Sequence, residues 1–391
     1  MPRRIIRPMP DARARQHPEV AELLRKEGFE GLFSEDALAA AEIYDDLVTA
    51  ACWRILGSIG RLPGGSGTPE TTLRDGSALP PRARPALRYL LDKVVTSGFL
   101  EARSGLLFPS GTAPRPVESL AEELAARASA AAVGAEIVKI LVDEAPAFFA
   151  GEKSGEEILF SPNRLPLWFR YFSNENALYV INNTLGAEVL ARTAPPGAAI
   201  LEIGGGCGSA AEAALRRLGA AASRYRFTEI VPTFARRGER AARAAASPGT
   251  VVEAARLDMT KPWVEQGVAP GSFDAVYSVN CFHVAPDLGF VLSEARRAVR
   301  PGGAVVVSEC IRPSVHDRPT YVEFVFDFLE SFTRVKTDPL LRPTHGFLTP
   351  DSWRRSFVAA GFPLVDVVPD VDHLARHYPD FFVGVVVART G

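Results

Sequence analysis

Two periodicities divide the chain. In PPRARPALRYLLDKVVTSGFL the residues Leu87, Leu90, Leu91, Val94 and Val95 recur at helical spacing, which predicts an amphipathic helix. Residues 99–102 and 106–108 then read as two short strands turned by Ser104 and Gly105, so helix plus hairpin gives a winged-helix outline to residues 18–112. Thr112 to Pro116 is a proline-containing break, and the spacing of Ser119 and Glu122 predicts a capping box for one long helix running toward Phe149. The aromatic- and asparagine-rich stretch ILFSPNRLPLWFRYFSNENALYVINNTLG follows, so residues 113–190 read as a helical bridge and lid. From Ala198 the pattern changes to strand-length apolar runs separated by helices: AAILEIG, YRFTEI, TVVEAARLD, FDAVYSVN and GAVVVSEC, with LVDVV and FFVGVVVAR close together at the end. Thr349-Pro350 marks a helix start and Gly361 its end. The expected fold class is α/β, with a Rossmann-like, doubly wound parallel sheet over residues 191–391 behind a mainly helical N-terminal domain.

Composition adds limits to this outline. A chain of 391 residues with 47% hydrophobic content has ample material for two cores. Its 44 basic and 46 acidic side chains nearly cancel, which supplies no electrostatic reason to expect nucleic acid or anionic lipid as a partner. Cys52, Cys207, Cys281 and Cys310 form no CxxC pair, as expected of reduced thiols in a cytoplasmic protein. The arginine- and proline-rich residues 1–17 read as a flexible leader with no signal-peptide core, and no stretch has the length and apolarity of a spanning helix.

Candidate chemistry concentrates at the ends of the strand-like runs. In ILEIGGGCGS, Glu202, Gly204, Gly206 and Gly208 alternate between a strand and a helix, giving E-x-G-x-G-x-G. Glycine suits a backbone that must turn tightly and approach a ligand closely, while Glu202 can accept from an amino group. Ser209 stands where a dinucleotide fingerprint would want glycine. Glu229 ends the second strand, where a carboxylate can accept both hydroxyls of a ribose. Asp258 and Met259 end the third, where the acid can accept from an adenine amino group and the thioether can pack on the ring. Successive acids at the carboxyl ends of an α/β sheet lie where such sheets bind ligands.

In this order, with LEIGGGCG, FTEI, LDM, SFDAVYSVN and RPGGAVVVSE, the stretch Ala199 to Glu309 resembles the class I methyltransferases that use S-adenosylmethionine (SAM). The resemblance implies SAM as cofactor. Methyl transfer needs an aligned acceptor and, for a poor one, a base. His283, in the loop after the fourth strand, is the best base available, and Glu309, closing the fifth, can hold its tautomer and stabilise imidazolium.

The resemblance narrows when the winged-helix-like unit, the long helix, the aromatic stretch and NCFHVAPDLGFVLSEARRAVRPGGAVVVSE are taken together. They look like the C-methyltransferase domains of polyketide synthases. In that family a His-Glu pair matching His283 and Glu309 deprotonates the carbon between a β-ketone and an acyl carrier protein thioester. A tyrosine matching Tyr171, with Tyr179 competing for the role, and an asparagine matching Asn280 sit near the reaction centre. The resemblance implies a carrier-protein-bound substrate and a polyketide synthase setting. Here Asn280-Cys281-Phe282-His283-Val284-Ala285 departs from the family's common N-x-L-H-A-T, which puts the usual pocket in question. Related loading-module enzymes use a metal, for which His283 with Asp287, His316 or His345 are the available ligands; no spacing here makes such a site, and no metal is expected. A small-molecule O-methyltransferase is the alternative, although those enzymes usually carry His-Asp-Trp where this chain has His283-Val284-Ala285.

Overall fold

In the computed structural model, described for residues 18–29, 35–315 and 318–391, helices dominate the first half of the chain and a seven-stranded sheet the second. Residues 1–17, read above as a leader, and His316 lie outside the described residues.

The N-terminal hairpin forms as its sequence predicts. Three short strands, β1 (Thr68–Pro69), β2 (Leu100–Arg103) and β3 (Leu106–Pro109), pair antiparallel in the order β1-β3-β2. Ser104 and Gly105 both take positive φ, 51° and 78°, as a two-residue turn matched to strand twist requires. Helix Ala83–Thr96 precedes the hairpin and buries Leu87, Leu90, Leu91 and Val94. The capping-box expectation fails. The helix begins at Val117, with Pro116 before it and no side-chain cap, so Ser119 already lies inside the first turn. The single long helix also divides in two, Val117–Arg127 and Ala132–Ala150, because Ala128 leaves helical geometry at φ −147°. A capping box does form further on, between Ser154 and Glu157 at the start of Gly155–Leu159.

The large sheet comprises β4 (Ala198–Glu202), β5 (Ala222–Thr228), β6 (Val251–Ala255), β7 (Phe273–Val279), β8 (Val299–Cys310), β9 (Leu364–Val368) and β10 (Val383–Arg389). Their order is β6-β5-β4-β7-β8-β10-β9. The first five run parallel, as expected of a doubly wound sheet, and β10 is antiparallel to both β8 and β9. Between β9 and β10 the chain makes only helix Val371–His377 and returns beside the strand it left, so no parallel crossover forms.

Both faces of the sheet are covered, and strict alternation assigns the side chains. Ile200, Tyr225, Phe227, Tyr277 and Val306 pack under helices Val180–Thr193 and Ser209–Leu218. Leu201, Val276, Val305 and Val307 face helices Leu288–Ala298 and Pro350–Ala359. Two features cut across a simple division of the chain at residue 190. Helix Pro18–Glu27 sends Val20 and Leu24 into the sheet core. Conversely, Phe324, Phe328, Phe332 and Phe347, all from the segment between β8 and helix Pro350–Ala359, join the core of the N-terminal helices. No helix among the described residues is long and apolar enough to cross a membrane.

Candidate active site

Parallel order puts the carboxyl ends of β4, β5, β6, β7 and β8 along one edge, and the residues singled out from sequence lie there. Glu202, Gly204, Gly206, Gly208 and Glu229 surround one loop. Gly204 takes φ +67°, and a Cβ there would stand 2.2 Å from the sulfur of Cys281, so the loop packs directly on the chain leaving β7. Gly206, at φ +54°, faces open space, and its N–H donates to Glu229 Oε2 at 2.9 Å. The other carboxylate oxygen of Glu229 accepts from Val231 N–H at 2.8 Å. Gly208 precedes helix Ser209–Leu218 and abuts Gly238.

Glu202 is fully buried and neither carboxyl oxygen has a hydrogen-bond partner. Burial pushes its carboxyl up to about 8, the Tyr225 hydroxyl beside it pulling the other way without hydrogen-bond geometry, and Glu229 adding to the rise. An orphaned buried carboxyl next to a glycine loop with an open face is what an incoming amino group would complete. The donor set is compatible with SAM, whose amino group Glu202 and whose ribose Glu229 would hold.

Asp258 is less free than its position at a strand end implied. Its Oδ1 accepts from the backbone and hydroxyl of Thr260 at 3.0 and 2.6 Å, and its Oδ2 lies 3.3 Å from Lys261. The Thr260 hydroxyl foremost holds this carboxyl below its usual range. Met259 Sδ lies 3.9 Å from Cys281 Sγ, so Met259, Cys281 and Gly204 make one continuous wall.

A second constellation forms where β7 and β8 end side by side. His283 Nδ1 is 2.5 Å from Glu309 Oε2, and both side chains are buried. Glu309 Oε1 accepts from three successive N–H groups, those of Cys281 (3.2 Å), Phe282 (2.9 Å) and His283 (3.3 Å). The turn that delivers these donors is possible because Asn280 adopts φ +48°, a region asparagine tolerates better than most residues. Asn280 Oδ1 accepts from Cys310 N–H at 3.1 Å and from Asn182 at 3.4 Å, tying β7 to β8 and to helix Val180–Thr193. With Nδ1 facing Glu309, Nε2 is the ring nitrogen left for a ligand.

His283 and Asn280 line a cavity of about 210 Å³ together with Tyr171, Tyr179, Tyr44 and Phe347. Both candidate tyrosines thus reach it. Tyr179 lies beside Asn280 on its wall, and burial raises both phenols far above their usual range. Aromatic rings clamp the imidazole, with Phe347 at 4.7 Å and Phe332 at 5.7 Å between centroids.

Several participants escaped the sequence reading. Arg342, almost fully buried, donates to the carbonyls of His283 and, at 2.8 Å, of Ala285. Burial pushes its guanidinium down to about 10, partly countered by Glu309. Asn182 and Tyr44 were missed because nothing local marks them; contact across the fold creates their place. Of the residues weighed as metal ligands beside His283, Asp287 accepts from Phe290 N–H and pairs with Lys336, His345 Nε2 lies 2.8 Å from Asp327, and His316 lies outside the described residues.

Residues 201–305 match the methyltransferase domain family. The highly reducing polyketide synthase lcsB of Purpureocillium lilacinum is 28% identical over 227 residues, 57% of this chain and 8% of that protein. The lovastatin diketide synthase lovF of Aspergillus terreus is 27% identical over 272 residues, 68% of this chain and 10% of that protein. The chain thus spans a tenth or less of the length of these relatives. Among solved structures, the CurJ carbon methyltransferase superposes with a TM-score of 0.71 at 19% identity, covering 96% of each chain. The citrinin polyketide synthase CMeT domain gives 0.70 at 14% identity, covering 94% of this chain and 93% of that one. The trans-methyltransferase CalH in complex with SAH gives 0.64 at 20%, covering 91% of each.

Proposed function

We propose that this chain, a SAM-dependent methyltransferase of the class I fold, methylates the α carbon of a malonyl or β-ketoacyl thioester carried by an acyl carrier protein, as a step of polyketide assembly. The observation that carries this reading is the buried His283–Glu309 pair at 2.5 Å on the wall of an aromatic cavity.

Bound SAM supplies an electrophilic methyl group on a sulfonium. Everything else falls to the protein. Nε2 of His283 takes the acidic proton between ketone and thioester, while Nδ1–H donates to Glu309 and fixes the tautomer. The resulting imidazolium sits beside a carboxyl group that three backbone N–H groups already hold in place, so little reorganisation is needed as charge develops. Asn280 and Tyr179 form a polar corner of an otherwise aromatic cavity, suited to orienting a carbonyl oxygen, with Tyr171 alongside. Largely aromatic walls suit a carbon acid whose charge is spread over two carbonyls. A phenolic acceptor would also need a base; what weighs against the O-methyltransferase alternative is His283-Val284-Ala285 in place of His-Asp-Trp.

The test is intact-protein mass spectrometry of a malonyl- or β-ketoacyl-loaded carrier protein incubated with the enzyme and SAM. A gain of one methyl mass that disappears in the His283→Ala variant is expected. Transfer to phenols with none to any carrier thioester would overturn the reading.

A further inference from the structure

Outside the cavity that holds His283, helix Pro18–Glu27 lies against helix Val371–His377. The second helix carries His373 and His377 one turn apart, the spacing that puts two imidazoles on the same face of a helix and allows both to reach one ion. One ligand atom each from His373, His377 and Glu19 lie within 4.8 Å of one another. The two rings are 5.6 Å apart between centroids, and His377 Nε2 is 3.1 Å from Glu19 Oε2.

A histidine–glutamate ion pair accounts for His377 and Glu19 but leaves His373 unexplained. Its Nε2 is buried with no hydrogen-bond partner, a costly state for an imidazole nitrogen. Glu27, from the first helix, adds a second orphan: its Oε2 is also buried and unpartnered, and the carboxyl is close enough to His373 to interact electrostatically. Asp370 holds the turn in place by accepting from His373 N–H at 2.9 Å. Lone pairs from two imidazoles and a carboxylate thus converge on one interhelical seam, with a further carboxylate beside it.

We propose that His373, His377 and Glu19 form a binding site for a divalent cation of the nitrogen-preferring class, such as Zn2+, that clasps helix Pro18–Glu27 onto the sheet domain. Two imidazoles and one carboxylate suit zinc, with solvent completing the coordination. The clasp would add to two existing tethers, the apolar contacts of Val20 and Leu24 and the donation of Arg192 to the carbonyls of Glu27 and Gly28 at 2.7 and 2.5 Å. Its role is structural, since none of the three ligands lines the cavity that holds His283.

The test is calorimetric titration of Zn2+ into the chelator-stripped full chain, repeated with His373→Ala and His377→Ala. Co2+ absorption in parallel reads the coordination geometry, and circular dichroism confirms that each variant is folded. We expect saturation at one ion per chain with a raised unfolding temperature. Either histidine variant should weaken binding by about 100-fold, with methyl transfer by the variants unchanged. Absence of saturable binding up to about 100 μM, far above the affinities of structural zinc sites, would overturn the proposal. So would saturation that survives both histidine substitutions.

Discussion

Glu202 carries the largest consequence of any one residue. Its carboxyl is raised from an ordinary value near 4.5 to about 8 by burial, so between those values the folded chain holds a proton that the unfolded chain has released. Stability should therefore fall as pH rises through that window, and Glu202→Gln should flatten the dependence in denaturation curves. With Glu202 as acceptor for the ammonium of SAM, binding should expel about one proton below pH 8 and tighten as that pH is approached. Calorimetry in buffers of different ionisation enthalpy reads this directly, and Glu202→Gln should abolish the proton release. His283 separates from it cleanly: His283→Ala should cost roughly 100- to 10,000-fold in transfer rate while leaving SAM affinity intact. Undiminished turnover in that variant would remove His283 from its proposed role.

At the scale of elements, the two functional loops are held by different means. The glycine loop depends on close approach, so Gly204→Ala, which drives a methyl group into Cys281 at 2.2 Å, should destabilise the fold. Gly206→Ala meets open space, costs only the roughly 1 kcal/mol of a left-handed residue, and should lose SAM affinity more than stability. Thermal melts beside SAM titrations distinguish the two. The loop after β7 depends instead on Arg342, whose removal leaves the carbonyls of His283 and Ala285 unsatisfied. Arg342→Met should cost about 1–3 kcal/mol of stability and lower kcat more than it raises KM, since it loosens the base without touching the ligand. Sequence pattern made the strands and the Ser104-Gly105 turn legible because their signals are local. It misled at Ser119, where a capping spacing exists but Pro116 sets the helix start three residues earlier.

Across the whole molecule the core of the N-terminal helices is completed by residues far along the chain. Phe324, Phe328 and Phe332 pack there, and Gly155 lies so near that a Cβ would stand 1.8 Å from the Phe328 carbonyl oxygen. A fragment comprising residues 180–391 should accordingly expose this aromatic surface and fail to give a soluble, monodisperse protein, whereas the full chain does. Size-exclusion chromatography of the two settles it. The acceptor cavity is built across the same seam, with Tyr44 from one side and His283 from the other, so its volume belongs to neither half alone.

Strand periodicity, the glycine spacing and the acids at strand ends were enough to identify the sheet, the edge on which its parallel strands end and the nearness of His283 to Glu309, because each is carried by residues near in sequence or by the rule that parallel strands end on one edge. Only the tertiary structure reversed β10, placed Arg342 behind the base and brought Tyr179 beside Asn280. These depend on contacts between residues distant along the chain, which leave no period and no spacing in the sequence that makes them.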